Sequence, residues 1–193
     1  MNIFRYIKNK ITLRRLHQLR PQIIYGYKKP NGELLKDTRI SSSTVLNGEA
    51  NLNIANNVFI GHFNFIEASN GITIKEGCQI TNYISILSHS SHISIRLYGT
   101  HFRTSKNHKG YIKGDVYIGG YTFIGPHSTI MPNTKIGKGC LVSGYSMVSG
   151  NFPDFSIIKG NPAKVVGSTK DLDKEYLEDP EILKMYNQWA END

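Results

Sequence analysis

Cysteine is scarce in this chain of 193 residues: there are two, Cys78 and Cys140. Neither has a second Cys or His around it at metal-ligand spacing, which excludes a disulfide framework and a zinc cage as organising devices and leaves two reduced core thiols. Long apolar runs are missing as well. The first twenty residues, MNIFRYIKNKITLRRLHQLR, never run more than three positions without a polar side chain. That excludes a signal-peptide apolar region and a membrane-spanning helix in this stretch, and a cytoplasmic location is expected. Acids are nearly absent from the leader: residues 1–40 carry ten Lys/Arg against two Asp/Glu, whereas residues 171–193 carry two against eight. A basic leader suits a nucleic acid or an anionic membrane surface. No aromatic-interleaved basic platform and no nucleic-acid motif follows it, so no nucleic-acid partner is expected. Ile3, Ile7 and Ile11 recur at helical spacing, and the leader reads as a solvated helix packed partly on its own body, with peripheral membrane contact through residues 1–20 as the second reading.

With 39% hydrophobic residues the chain is long enough for one domain with a real core. From residue 118 it reads IGGYTF IGPHST IMPNTK IGKGCL VSGYSM VSGNFP, with an aliphatic side chain at every sixth position: Ile118, Ile124, Ile130, Ile136, Val142 and Val148. The same count runs upstream through Ile54, Ile60, Ile66 and Ile72, slips by two, and restarts at Ile74, Ile80 and Ile86. A period of six fits neither a helix nor a two-sided strand. Three short strand-and-turn units close one triangular coil, with each sixth side chain pointing at the axis and a small residue at each crowded corner. Stacked coils bury the aliphatic ladders, and cooperative stacking holds the rod together.

This pattern, together with VSGYSMVSGNFPDFSIIKGNPAKVVG at the end of the rod, resembles the left-handed β-helix acetyltransferases, in particular the sugar and surface-polysaccharide O-acetyltransferase branch. The resemblance covers roughly residues 45–167. It implies an all-β fold, a left-handed parallel β-helix with an extruded loop, a short N-terminal helix and a C-terminal helix. The organisation expected is a basic segment at 1–44, the β-helix at 45–167 with its loop at 88–115, and an acidic tail at 168–193, capped by Ser168 or Thr169 and interrupted near Pro180. It further implies a homotrimer, acetyl-CoA held in a groove between neighbouring rods, and a sugar or polysaccharide-precursor acceptor, with no metal.

The loop at 88–115 breaks the count and holds four of the seven histidines. A prism side has no cavity of its own, so a substrate site needs such an excursion. In similar acetyltransferases the catalytic histidine sits where the strand leaves the coil, here ILSHSSHISIR. Counting from Cys78 through Ile86, and allowing one inserted residue, the resemblance places that position at His92, with His89 as the second candidate or an acceptor contact. An imidazole, with an unperturbed pKa of about 6.5, suits removal of a hydroxyl proton as the oxygen attacks a thioester. Glu67, one coil earlier, stands where relatives present an orienting acid. By resemblance Pro126, Gly144, Ser149 and Gly150 line the pantetheine groove and Lys164 meets the nucleotide phosphates. Lys159 is a second cation by proximity, and Lys170 or the leader supplements them because the lysine that many relatives carry in VSGNFPD is absent. His62 and His127 read as corner or groove-lining side chains, and His101 and His108 as loop residues within reach of the acceptor. The competing readings are an N-acetyltransferase of an amino-sugar nucleotide, acetylation of an antibiotic, a γ-carbonic-anhydrase-like metal site, for which HSSH has the wrong interval, and a non-catalytic scaffold.

Overall fold

The computed structural model describes residues 3–191; residues 1, 2, 192 and 193 lie outside it. Three flat faces of short parallel strands enclose a prism. The first face stacks Leu34–Ser41, Phe59–Ile60, Gln79–Ile80, Phe123–Ile124, Leu141–Val142 and Ser156–Gly160. The second stacks Val45–Asn47, Phe65–Glu67, Ser85–Leu87, Thr129–Ile130 and Met147–Val148, and the third Leu52–Ile54, Ile72–Ile74, Val116–Ile118, Lys135–Ile136 and Asn151–Phe152.

Register follows the six-residue period. Ile40, Ile60, Ile80, Ile124, Val142 and Ile158 are successive partners on the first face. On the second, Ile66 pairs with Ile86, Ile86 with Ile130 and Ile130 with Val148. Ile54, Ile74, Ile118, Ile136 and Phe152 form the third ladder. All of these are buried, and each full burial contributes about 1.5–3 kcal/mol. The two-residue slip has a plain cause: on the third face both Ile72 and Ile74 are buried, and the corner preceding them is a turn at 68–71 in which the Gly71 N–H donates to the Ala68 carbonyl at 3.0 Å. At several corners the position directly after the inward aliphatic residue admits only a small side chain for steric reasons. A Cβ on Gly125 would lie 2.6 Å from the Gly144 nitrogen of the next coil, and Thr122 Oγ1 donates to the Gly137 carbonyl at 2.9 Å. Cys78 and Cys140 are free and buried, and burial pushes their thiols up to about 12 and about 11.

Antiparallel hairpins finish both ends of the first face, Ile23–Lys28 on Leu34–Ser41 and Ala163–Ser168 on Ser156–Gly160. They cover edges that an open parallel stack would leave unpaired. The leader forms helix α1 (Ile3–Leu19), and no residue of it is buried. The packing on its own body expected from Ile3, Ile7 and Ile11 is therefore not made: Ile3 is 68% exposed. Basic side chains interrupt every face of the helix and leave no apolar stripe wide enough to bury. No described helix is long and apolar enough to cross a membrane. A short helix α2 (Ser94–Tyr98) lies in the excursion. The tail forms α3 (Thr169–Asp173) and α4 (Pro180–Ala190). Ser168 caps α3 by accepting from the Lys170 N–H at 3.2 Å. Pro180 opens α4 rather than interrupting a longer helix, because a first-turn proline loses no hydrogen bond. The tail packs on the rod through its rings, with Trp189 stacked on Tyr121 at 4.4 Å.

Candidate active site

Where the second face ends at Leu87 the chain leaves the prism and does not return until Val116. One residue into the excursion, His89 and Ser90 pair antiparallel with Lys113 and Ile112, so the exit and the return of the loop are clamped together. The rest is folded around rings: Tyr98, Phe102 and Tyr111 surround His108, with centroids at 5.1, 4.4 and 6.3 Å. Gly110, at φ +73°, sits where a Cβ would meet Ile93 Cγ2 at 2.6 Å, so the loop closes on α2 only with glycine there.

This scaffold fixes His89 from two sides. The Tyr111 ring lies nearly parallel to the imidazole at 5.4 Å. Beneath it, Glu67 Oε2 is 2.5 Å from His89 Nδ1; the contact has ion-pair distance without the alignment of an ideal hydrogen bond. Register explains the meeting. Glu67 pairs with Leu87, and a carboxylate at the edge of one coil lies under the residues leaving the next.

Glu67 is buried. Its Oε1 accepts from the Ser69 N–H at 3.0 Å and from the Ser69 hydroxyl, and its Oε2 accepts from Ser88 Oγ at 3.1 Å. Burial alone would raise its pKa. The hydrogen bonds from Ser69 and Ser88, with the neighbouring His89, outweigh it and hold the carboxyl below the usual range. With Nδ1 against this carboxylate, Nε2 is the imidazole nitrogen presented to a ligand.

Two cavities meet at His89. One, of about 690 Å³, opens on the excursion side between Asn70, His108, Lys109, Tyr111 and Lys113. The other, of about 490 Å³, opens along the second face between Asn47, Phe65, Leu87 and Ser91. His92 lies in neither; it is exposed, and its Nδ1 is 2.8 Å from Ser90 Oγ. The structure thus brings Glu67 together with His89 and not with His92. Ser69, Ser88 and Tyr111 complete the arrangement and escaped the sequence reading. The twenty-residue spacing of Ile66 and Ile86 was the available signal, because it sets Glu67 level with Leu87.

The remaining positions spread along the rod. His127 is a corner residue, stacked between Tyr83 at 4.9 Å and Tyr145 at 4.8 Å. His62 is another, 2.7 Å from Ser41 Oγ, and His101 is an exposed loop residue. Pro126 and Gly144 share a corner, where the Tyr145 N–H donates to the Pro126 carbonyl at 2.9 Å. Ser149 and Gly150 follow the last strand of the second face, and neither they nor Pro126 and Gly144 line the two cavities at His89. Lys159 and Lys164 are direct cross-strand partners in the terminal hairpin. Like charges opposed in this way repel unless an anion lies between them.

Residues 115–150 match the bacterial transferase hexapeptide model, six repeats. That stretch holds the coils that follow the excursion. The chain is also similar to a serine acetyltransferase from Buchnera aphidicola subsp. Schizaphis graminum (strain Sg), 30% identical over 115 residues, which is 60% of this chain and 40% of that protein. The chain thus spans well under half the length of this curated relative. Among solved structures, an N-acyltransferase from Bacillus cereus in complex with dTDP and 3-hydroxybutyryl-CoA superposes with a TM-score of 0.58 at 21% identity, covering 74% of this chain and 88% of that one. A maltose O-acetyltransferase from Clostridium difficile 630 superposes with a TM-score of 0.56 at 20% identity, covering 66% of this chain and 64% of that one. At these identities the superpositions establish the fold.

Proposed function

We propose that this protein is an acyltransferase that moves acetyl from acetyl-CoA to a sugar hydroxyl of a surface polysaccharide or its precursor, with His89 as the general base. The observation that carries this reading is the Glu67–His89 pair at the meeting of two cavities. Glu67 orients the ring through Nδ1, and Nε2 accepts the hydroxyl proton as the acceptor oxygen attacks the thioester carbonyl. The C–S bond breaks as the new C–O ester settles, and the imidazolium returns the proton to the departing thiolate. No acyl-enzyme is required. The acceptor occupies the excursion-side cavity and the thioester end approaches along the second face. Pro126, Gly144, Ser149 and Gly150 serve the pantetheine arm, and the opposed Lys159 and Lys164 serve the phosphates. Those residues lie along the rod away from His89, so the reading includes a homotrimer in which a neighbouring rod completes the groove.

The test is CoA release from acetyl-CoA against a panel of hydroxyl and amino sugars. His89→Ala should lower turnover roughly 10²–10⁴-fold with acetyl-CoA affinity nearly unchanged, because a general base acts in the transition state. His92→Ala should retain most activity. The reverse outcome would return the role to His92; preference for an amino sugar would make the product an amide.

A further inference from the structure

The excursion-side cavity carries more charge than a neutral sugar requires. Lys109 and Lys113 both line it. Neither has a carboxylate within salt-bridge distance among the described residues, and Lys113 Nζ instead lies over the Tyr111 ring at 5.5 Å. The acid adjoining the cavity, Glu67, is engaged by Ser69, Ser88 and His89. Unpaired ammonium groups gathered at one concave site repel each other, and a bound anion relieves that repulsion.

The lysines are also held in place. The Lys109 backbone is pinned at both ends of its peptide: its N–H donates to the Tyr98 hydroxyl at 2.9 Å, and its carbonyl accepts from Ser94 Oγ at 3.0 Å. Lys113 is the cross-strand partner of His89 itself. Directly opposed residues of an antiparallel pair have Cβ atoms roughly 5 Å apart. Lys113 Nζ lies over the Tyr111 ring that itself stacks on His89, so an anion held by Lys113 shares one wall of the cavity with a hydroxyl presented to His89. Asn70 and Asn107 add amide groups to the same wall, suited to the remaining hydroxyls.

We propose that the acceptor sugar carries its own anionic group, a phosphate or a carboxylate, which Lys109 and Lys113 hold while His89 takes the hydroxyl proton. This rests on the acyl-transfer reading above and narrows it to an anionic acceptor. It requires the negative charge on the acetylated ring or on the atom attached to it, as in a glycosyl phosphate or a uronic acid.

The experiment compares a neutral hexose, its 1-phosphate and its uronic acid as acceptors for the full-length protein. One or both anionic sugars should exceed the neutral one roughly tenfold or more in kcat/KM, the size of one charge-assisted contact. Lys109→Gln and Lys113→Gln should each lower the ratio of anionic to neutral kcat/KM, removing most of that advantage, while leaving the KM for acetyl-CoA unchanged, and Lys113→Arg should keep the ratio. Whichever anion shows the advantage identifies the source. Equal use of all three sugars, or a raised KM for acetyl-CoA in the variants, overturns the proposal; the latter would assign the lysines to the cofactor phosphates. Should no sugar be acetylated, titration calorimetry with the 1-phosphate and the uronic acid, without acetyl-CoA, decides separately from the reaction. Saturable binding weakened roughly tenfold or more in the Lys109→Gln/Lys113→Gln double variant supports the anion site, and binding that is absent or unchanged in the variant sinks it.

Discussion

A buried carboxylate that receives three hydrogen bonds stays charged where an isolated one would not. Glu67 shows how its neighbours decide that state. Its folded pKa lies below the ordinary value, so its charge contributes stability fully present above about pH 4.3 and lost as the pH falls through the lower folded value. Glu67→Gln should therefore lower the thermal midpoint at neutral pH, by the equivalent of about 1–3 kcal/mol for the donors left poorly matched. The gap between variant and wild type should narrow on acidification below about pH 4; a gap independent of pH would mean that the charge plays no part. The choice between two histidines three residues apart was not legible from the local sequence, because it turns on which one lies over a side chain a full coil away.

At the scale of the strand, almost everything was legible. Ile118, Ile124, Ile130, Ile136, Val142 and Val148 each occupy an inward position because a strand of two residues offers one such place and a strand of three, such as Val116–Ile118, offers its two ends. Sequence period and geometric period are then the same quantity. Ile130→Ala, in the middle of the second ladder, should cost about 2–5 kcal/mol in urea or thermal unfolding. A loss under 1 kcal/mol would show that neighbouring coils relax into the space. The interior of the excursion was opaque for the opposite reason: its rings and hydroxyls meet through contacts such as Tyr98 with Lys109, and no period governs them.

For the whole molecule, the leader and the tail behave differently although both are charged helices. Helix α1 buries no residue, so removing residues 1–20 should leave the melting temperature of the rod unchanged; a drop of several degrees would place the helix against a neighbouring chain. Light scattering should give three times the 21.8 kDa of one chain, and a monomer mass at micromolar concentration would remove the intersubunit groove from the proposed function. The tail is attached by aromatic stacking, and its Trp189 is the single tryptophan of the chain. Fluorescence excited at the indole band therefore reports on one joint, where α4 meets the Tyr121 corner, and is blind to the coils at the far end. Detachment of the tail would register as an optical transition of its own, and comparison with circular dichroism would separate it from melting of the rod.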